Sequence, residues 1–271
     1  MSDYELAHAY DTVNLYRRDT IAKIELNRPA TLNAWTKEFG IDLRAAVTAV
    51  TEDDGVRAVV VTGAGRAFSS GADISGSGTQ LTPDGTPDTY TVLSTYYHPV
   101  ISGIRRMPKP VVAAVNGPAV GIGCSLALAC DLVAARRSTF LMLAFVNIGL
   151  VPDGGSSLFV PVRAGLARAA EMAMLGERLG AERAEAWGLI NWAWPDEEFD
   201  ERVDALVTRL ANGPTRSYAG AKREFNARVY AGMEEQLDLE ARLQQEQAGT
   251  KDFLEGVTAF VERRPARFTG S

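Results

Sequence analysis

Residues 111–130 read VVAAVNGPAVGIGCSLALAC, and the fold turns on what that uncharged stretch is. A run of this length is about enough to cross a bilayer as one helix. Asn116-Gly117-Pro118 lies inside it, however, and that tripeptide is a turn signal that breaks a continuous helix. The stretch therefore predicts a buried strand, a tight glycine-rich turn and a buried helix, with no membrane span. Its neighbours agree. Residues 110–115 and 131–135 read as strands on either side of a helix over 123–129, and 56–61 is another short β-branched strand ending in Thr62-Gly63. Alternation over 14–27 predicts a hairpin turning at Arg18-Asp19. Residues 36–51 carry Phe39, Leu43, Ala46, Val47 and Val50 at helical spacing behind a Thr36 cap.

Further along, 75–87 is rich in Gly, Ser, Thr and Pro and reads as a surface loop. Residues 90–107 look helical apart from Pro99. Strands alternate with helices to about Trp194, which predicts an α/β body of repeated strand-strand-helix units over residues 1–195. Residues 196–271 show only helical signals, at 201–210, 218–231, 234–248 and 251–267, the last with an apolar stripe of Phe253, Val257 and Phe260. A helical tail of this kind packs on a neighbouring subunit or closes a site.

Composition narrows the function. Across 271 residues, 34 acidic against 28 basic side chains leave a net charge of −6, which argues against a nucleic-acid binder. Two cysteines, Cys124 and Cys130, and two distant histidines, His8 and His98, give neither a disulfide scaffold nor structural-zinc spacing. The N-terminus has early acids and no basic segment followed by an apolar one, so it does not read as a signal peptide, and a cytoplasmic location is expected.

Three glycine turns are candidates for chemistry. In 62–73, TGAGRAFSSGAD, Phe68 stands where a dinucleotide fingerprint needs glycine and no Gly-Lys-Ser/Thr follows, so the turn is neither a Rossmann nor a Walker loop. In 116–125, NGPAVGIGCS, a strand runs into glycines and then a helix start, where unpaired backbone N–H groups can hold an oxygen gaining negative charge. In 148–157, IGLVPDGGSS, Asp153 precedes a helix over 156–164; on spacing alone it either caps that helix or serves as a reactive acid.

Taken in order, these segments resemble the crotonase (enoyl-CoA hydratase/isomerase) superfamily. The resemblance is carried by NRPATLNA at 27–34, VRAVVVTGAGRAFSSGADI at 56–74, PKPVVAAVNGPAVGIGCSLALACDLVAA at 108–135 and IGLVPDGGSS, then by AMLGERLGAERAEAWGLIN at 173–191 and EGVTAFVERRPARFTG at 255–270. Within the superfamily the chain is most similar to the phenylacetate-pathway ring-epoxide isomerases. The resemblance implies a crotonase (ClpP-like) spiral of ββα units with a C-terminal helical trimerisation region, and a homo-oligomer that is a trimer or a dimer of trimers. It also implies an acyl-CoA thioester substrate, with no cofactor and no metal.

By the same resemblance, the backbone N–H groups of Ala72 and Ile122 are the two oxyanion donors, with Asp73 and Ile74 beside the first and the Ile122 side chain narrowing the acyl pocket. The two glutamates of the hydratases correspond here to Ser125 and Phe145, neither a general base, and the resemblance implies Asp153 as the acid/base, at the position that the ring-epoxide and dienoyl-CoA isomerase branches use. Set among Phe145, Val146 and Leu150, its carboxyl is expected to be partly desolvated. Dehalogenases of the same fold place a nucleophilic Asp at the position of Asp153 and a base at that of His98, with Tyr90, Tyr97 and Phe145 as aromatic neighbours; His98 before a proline also reads as a structural helix-end residue. Arg28 and Arg66 are candidates for the CoA phosphates, and Phe260 and Arg264 for covering the CoA.

Overall fold

The computed structural model describes residues 4–74 and 80–271. Among the described residues the strands are β1 (Glu5–Ala9), β2 (Val13–Arg18), β3 (Ile21–Leu26), β4 (Ala58–Gly63), β5 (Val111–Val115), β6 (Ala119–Val120), β7 (Leu132–Arg136), β8 (Phe140–Met142), β9 (Leu179–Gly180) and β10 (Trp192–Trp194). The helices are α1 (Lys37–Glu52), α2 (Thr89–Val92), α3 (His98–Arg106), α4 (Ile122–Ala129), α5 (Ser156–Ala164), α6 (Leu166–Leu175), α7 (Ala181–Ala186), α8 (Phe199–Ala211), α9 (Thr215–Val229), α10 (Met233–Ala248) and α11 (Lys251–Glu262). One sheet runs β1-β2-β3-β4-β5-β7-β10 and a smaller one β6-β8-β9. The main sheet is antiparallel from β1 to β3 and parallel from there to β10.

Strand β4 shows why the central strands read as continuous apolar runs. Val59 and Val61 join the core that holds Phe39, Leu43 and Val100, while Ala58 and Val60 meet Phe199, Val203 and Val207 of α8. A parallel strand covered on both faces has no polar side to alternate with. The expected strand-turn-helix over 111–130 is β5, a turn, β6 and α4, and among the described residues no helix is long and apolar enough to cross a membrane.

Other expectations hold with local corrections. Thr36 caps α1, its hydroxyl accepting from the Phe39 N–H at 3.2 Å. The hairpin pairs Arg18 with Ile21, so it turns on Asp19-Thr20, one residue later than expected. Strand β1 was not foreseen: all its residues are exposed, so no burial pattern marks it. Of the loop expected over 75–87, residues 75–79 lie outside the described residues, and the remainder forms a turn bridged between Leu81 and Pro87.

The helix expected over 90–107 is divided. A wide π-helical turn, Leu93–Tyr97, separates α2 from α3. Pro99 has no N–H to give and its ring would collide with the carbonyl four residues back, and the wide turn removes that conflict. Both Tyr97 and His98 are consequently turned into the protein. At the C-terminus, the helix expected within 251–267 is α11, which ends at Glu262, where Arg263 turns left-handed at φ 57°. Its inward face is Gly256 and Ala259, with no room for a Cβ between Gly256 and the Ile148 backbone, and Phe260 is 62 % exposed.

Candidate active site

The turn after β4 is fixed by two amides. Asn33 Nδ2 donates to the carbonyls of Ala64, Ala67 and Phe68, and Asn116 Nδ2 to those of Gly63 and Gly65. The chain then runs extended between two neighbours. Ser69 accepts from Val120 N–H at 2.9 Å and donates to Pro118 O at 3.1 Å. On the other side Trp35 N–H donates to Gly71 O and Asp73 N–H to Trp35 O, each at 2.8 Å. Because alternate residues of an extended strand turn opposite ways, the Ala72 N–H faces away from Trp35. It has no hydrogen-bond partner among the described residues.

Gly121 brings the second donor beside the first. Its φ of 54° and that of Gly71, 96°, lie in the region that favours glycine, and a Cβ on Gly121 would sit 3.7 Å from Gly71 Cα. Ile122 opens α4, so its N–H has no acceptor within the helix, and none is found for it elsewhere among the described residues. Two unpaired N–H groups thus follow two adjacent glycines, one of them at a helix N-terminus. Such a pair can accept an oxygen that becomes negative.

Asp153 is held close to this turn. Gly154 and Gly155, at φ 61° and 82°, fold the chain tightly, and a Cβ on Gly154 would be 2.3 Å from Ile122 Cδ1. The Ile122 side chain therefore packs beneath the Asp153 turn. The Asp153 carbonyl accepts from Ser125 Oγ and Ser156 Oγ at 2.8 Å each and from Ser156 N–H at 3.1 Å. The backbone is clamped, and the carboxyl is left differently. Oδ2 accepts from Gln244 Nε2 at 2.9 Å, whereas the buried Oδ1 has no partner. Burial raises the Asp153 carboxyl well above the usual carboxylate range, and the nearby Glu240 charge raises it further.

The capping reading of Asp153 is thereby corrected: the N–H groups that open α5 belong to Glu240. Its carboxylate accepts from Gly155 N–H at 2.7 Å, Ser157 N–H at 3.1 Å and the Ser157 hydroxyl. Burial pushes Glu240 up to about 7. Neither Glu240 nor Gln244 was singled out in the sequence. The signal was there, since α10 buries Leu237, Glu240, Ala241 and Gln244 at helical spacing, with two polar residues on an apolar stripe.

The remaining candidates are placed as follows. Phe145 packs near Gly121, its ring 3.8 Å from where a Cβ there would be. Ser125 spends its hydroxyl on the Asp153 and Gly121 carbonyls. Tyr97 donates to Trp35 O at 3.0 Å, and its phenol, raised by burial, also feels the charges of Asp153 and Asp73. His98 is buried and lowered to about 4 by desolvation; the carboxylate acting on it is Asp238. Tyr90 is turned outward to the same Asp238. Arg28 is tied to the Ala34 carbonyl and to Asp73 at 3.4 Å. Arg66 is exposed, Ile74 is half-buried, and Arg264 is paired with Glu255 and Glu262. No cluster of three or more His, Cys, Asp or Glu able to hold a metal occurs among the described residues.

The enoyl-CoA hydratase/isomerase family profile matches residues 16–271. The chain belongs to this family. It is 42% identical over 265 residues to the "Probable enoyl-CoA hydratase" of Rhodobacter capsulatus, covering 97% of this chain and 99% of that one. It is 37% identical over 251 residues to the 1,2-epoxyphenylacetyl-CoA isomerase of Escherichia coli, covering 92% and 95%. Among solved structures, an enoyl-CoA hydratase from Mycobacterium avium subsp. paratuberculosis superposes with a TM-score of 0.87 at 37% identity, over 96% of this chain and 100% of that one. The protein is therefore a crotonase-fold enzyme of the enoyl-CoA hydratase/isomerase family.

Proposed function

We propose that the protein is an acyl-CoA isomerase that converts a 3-enoyl-CoA to its conjugated 2-enoyl isomer. The observation that carries this reading is the buried Asp153 carboxyl, whose Oδ1 has no partner among the described residues, beside the two unpaired N–H groups. The thioester carbonyl sits between the Ala72 and Ile122 N–H groups. Asp153 takes a proton from C2, the C–H electrons pass into a dienolate, and the thioester oxygen carries the charge. The same carboxylic acid then returns the proton at C4, so the double bond moves and nothing is consumed. A buried carboxyl of raised proton affinity suits both halves of this shuttle. Loss of one oxyanion donor costs about 10²–10³-fold in rate.

Two further features support isomerisation, one over hydration and one over hydrolysis. Ser125 and Phe145, at the positions that correspond to the hydratase glutamates, offer no base: one hydroxyl is committed to backbone carbonyls and the other side chain is apolar. The electrostatic partners of Asp153 are Glu240 and Gln244 while that of His98 is Asp238, so a nucleophilic hydrolysis activated by His98 gains no support. The likeness to an epoxyphenylacetyl-CoA isomerase supports a ring epoxide as a second substrate class, opened by proton donation from the same carboxyl. Arg66 is carried forward as the phosphate contact, with no metal or cofactor required. A homo-oligomer, trimer or dimer of trimers, is part of this reading, supported by exposed apolar residues Leu166, Met174 and Leu254.

The test follows 3-enoyl-CoA conversion by ultraviolet absorbance and offers 2-enoyl-CoA separately. Isomerisation without hydration is expected. Hydration at a matching rate, or a covalent acyl-enzyme seen by mass spectrometry, contradicts the reading.

A further inference from the structure

Helix α10 presents Glu240 and Gln244 on one buried face, four residues apart, directly behind the Asp153 turn. Gln244 Nε2 donates to Val151 O at 2.6 Å and to Asp153 Oδ2 at 2.9 Å. The Val151 carbonyl can only accept, so the amide nitrogen must face it, and a flipped amide would set two acceptors against each other. Both amide hydrogens are thereby used, one of them on Oδ2. Gln244 Oε1 and Asp153 Oδ1 remain buried without partners. Glu240 is anchored through both carboxylate oxygens to the start of α5, so its charge cannot swing away from Asp153.

We propose that Gln244 and Glu240 are positioning residues for Asp153: Gln244 pins Oδ2 so that Oδ1 alone carries the transferred proton, and Glu240, anchored at the start of α5, sets a carboxylate behind the same turn that opposes loss of that proton when it is ionised. This rests on the reading of Asp153 as the acid/base. The two residues act in opposite senses. A hydrogen bond from Gln244 favours the charged carboxylate, whereas a neighbouring carboxylate disfavours it. The arrangement also explains why α5 is opened by a residue from a distant helix. With Glu240 serving those N–H groups, the Asp153 side chain is not drawn to them.

The titratable groups facing Asp153 are Glu240 from α10 and the Tyr97 phenol from the wide turn before α3, and Ser125 of α4 meets only its carbonyl. Glu240 faces Asp153, the Ser157 hydroxyl and the α5 N–H groups. Substituting Tyr97 is avoided because its hydroxyl also holds Trp35.

The experiment measures kcat and KM for 3-enoyl-CoA isomerisation against pH in the full-length wild type, Gln244→Met, Glu240→Gln and Asp153→Asn. As the base, Asp153 must be unprotonated, so kcat/KM falls on the acid side. Gln244→Met removes the bond to the charged form, and the acid limb moves to higher pH, with kcat down by up to roughly 10²-fold and KM held. Glu240→Gln removes the like charge, and the limb moves to lower pH. Opposite displacements support the proposal. Unmoved limbs, or both moving the same way, overturn it while Asp153→Asn stays inactive; an active Asp153→Asn instead overturns the functional reading beneath it. If Glu240→Gln fails to fold, the Gln244→Met limb alone decides: upward supports the proposal, unmoved overturns it.

Discussion

The contact of α3 with α9 and the contact of α5 with α10 both bury charged side chains, and they treat them differently. At the first, Arg105 donates to Asn226 Oδ1, Ala129 O and Asp131 Oδ1. Lys222 Nζ reaches Ile104 O and Asp131 Oδ2 at 2.8 Å and Lys109 O at 3.3 Å. Asp131 Oδ2 also accepts from Val111 N–H at 2.9 Å. This cluster borders a cavity of about 370 Å³, yet each of these charged groups is satisfied. At the second contact, Asp153 Oδ1 and Gln244 Oε1 are left without partners. Buried unpaired polar atoms cost free energy, so each one calls for a reason. Completeness of hydrogen bonding separates Arg105, Lys222 and Asp131 from Asp153 and Gln244.

That contrast can be broken or sharpened by substitution. Asp153→Asn has the largest expected effect on rate, a loss of roughly 10²–10⁴-fold in isomerisation. Lys222→Met, at the satisfied cluster, removes one of the two cations on Asp131, which keeps Arg105 and the Val111 N–H, and is expected to cost about 1–3 kcal/mol in urea unfolding while activity per folded molecule holds. Gly154→Ala asks a side chain to take φ 61° and to enter space held by Ile122 Cδ1. It should cost roughly 1–3 kcal/mol and reduce activity as well, because the Asp153 turn moves. Thr36→Ala removes a helix cap far from either cluster, at about 1 kcal/mol by thermal melting, with kinetics unchanged.

The two clusters also differ in how far the sequence disclosed them. Asp153, Gly121 and the turns were legible because glycine and proline mark backbone geometry locally, and the resemblance gave them roles. The parallel core was legible from uninterrupted runs such as residues 58–61. Glu240 and Gln244 were not, since their meaning depends on a contact with Gly155 and Asp153 some ninety residues earlier in the chain. Strand β1 escaped because an edge strand exposed on both faces carries no period. The π-helical turn escaped because Pro99 signals a conflict and does not say how it is resolved.

The most direct test of the central claim, that Asp153 is buried for reactivity and not for stability, is the unfolding free energy of Asp153→Asn against wild type across pH. A carboxyl whose folded proton affinity exceeds its unfolded value contributes stability at low pH that is lost as pH rises through the folded value. Desolvation and Glu240 give Asp153 that direction of shift. The account predicts that the inactive Asn variant is more stable than wild type near about pH 8, with the gap closing toward about pH 4. A variant less stable than wild type at the higher pH, in the manner expected of Lys222→Met, contradicts it.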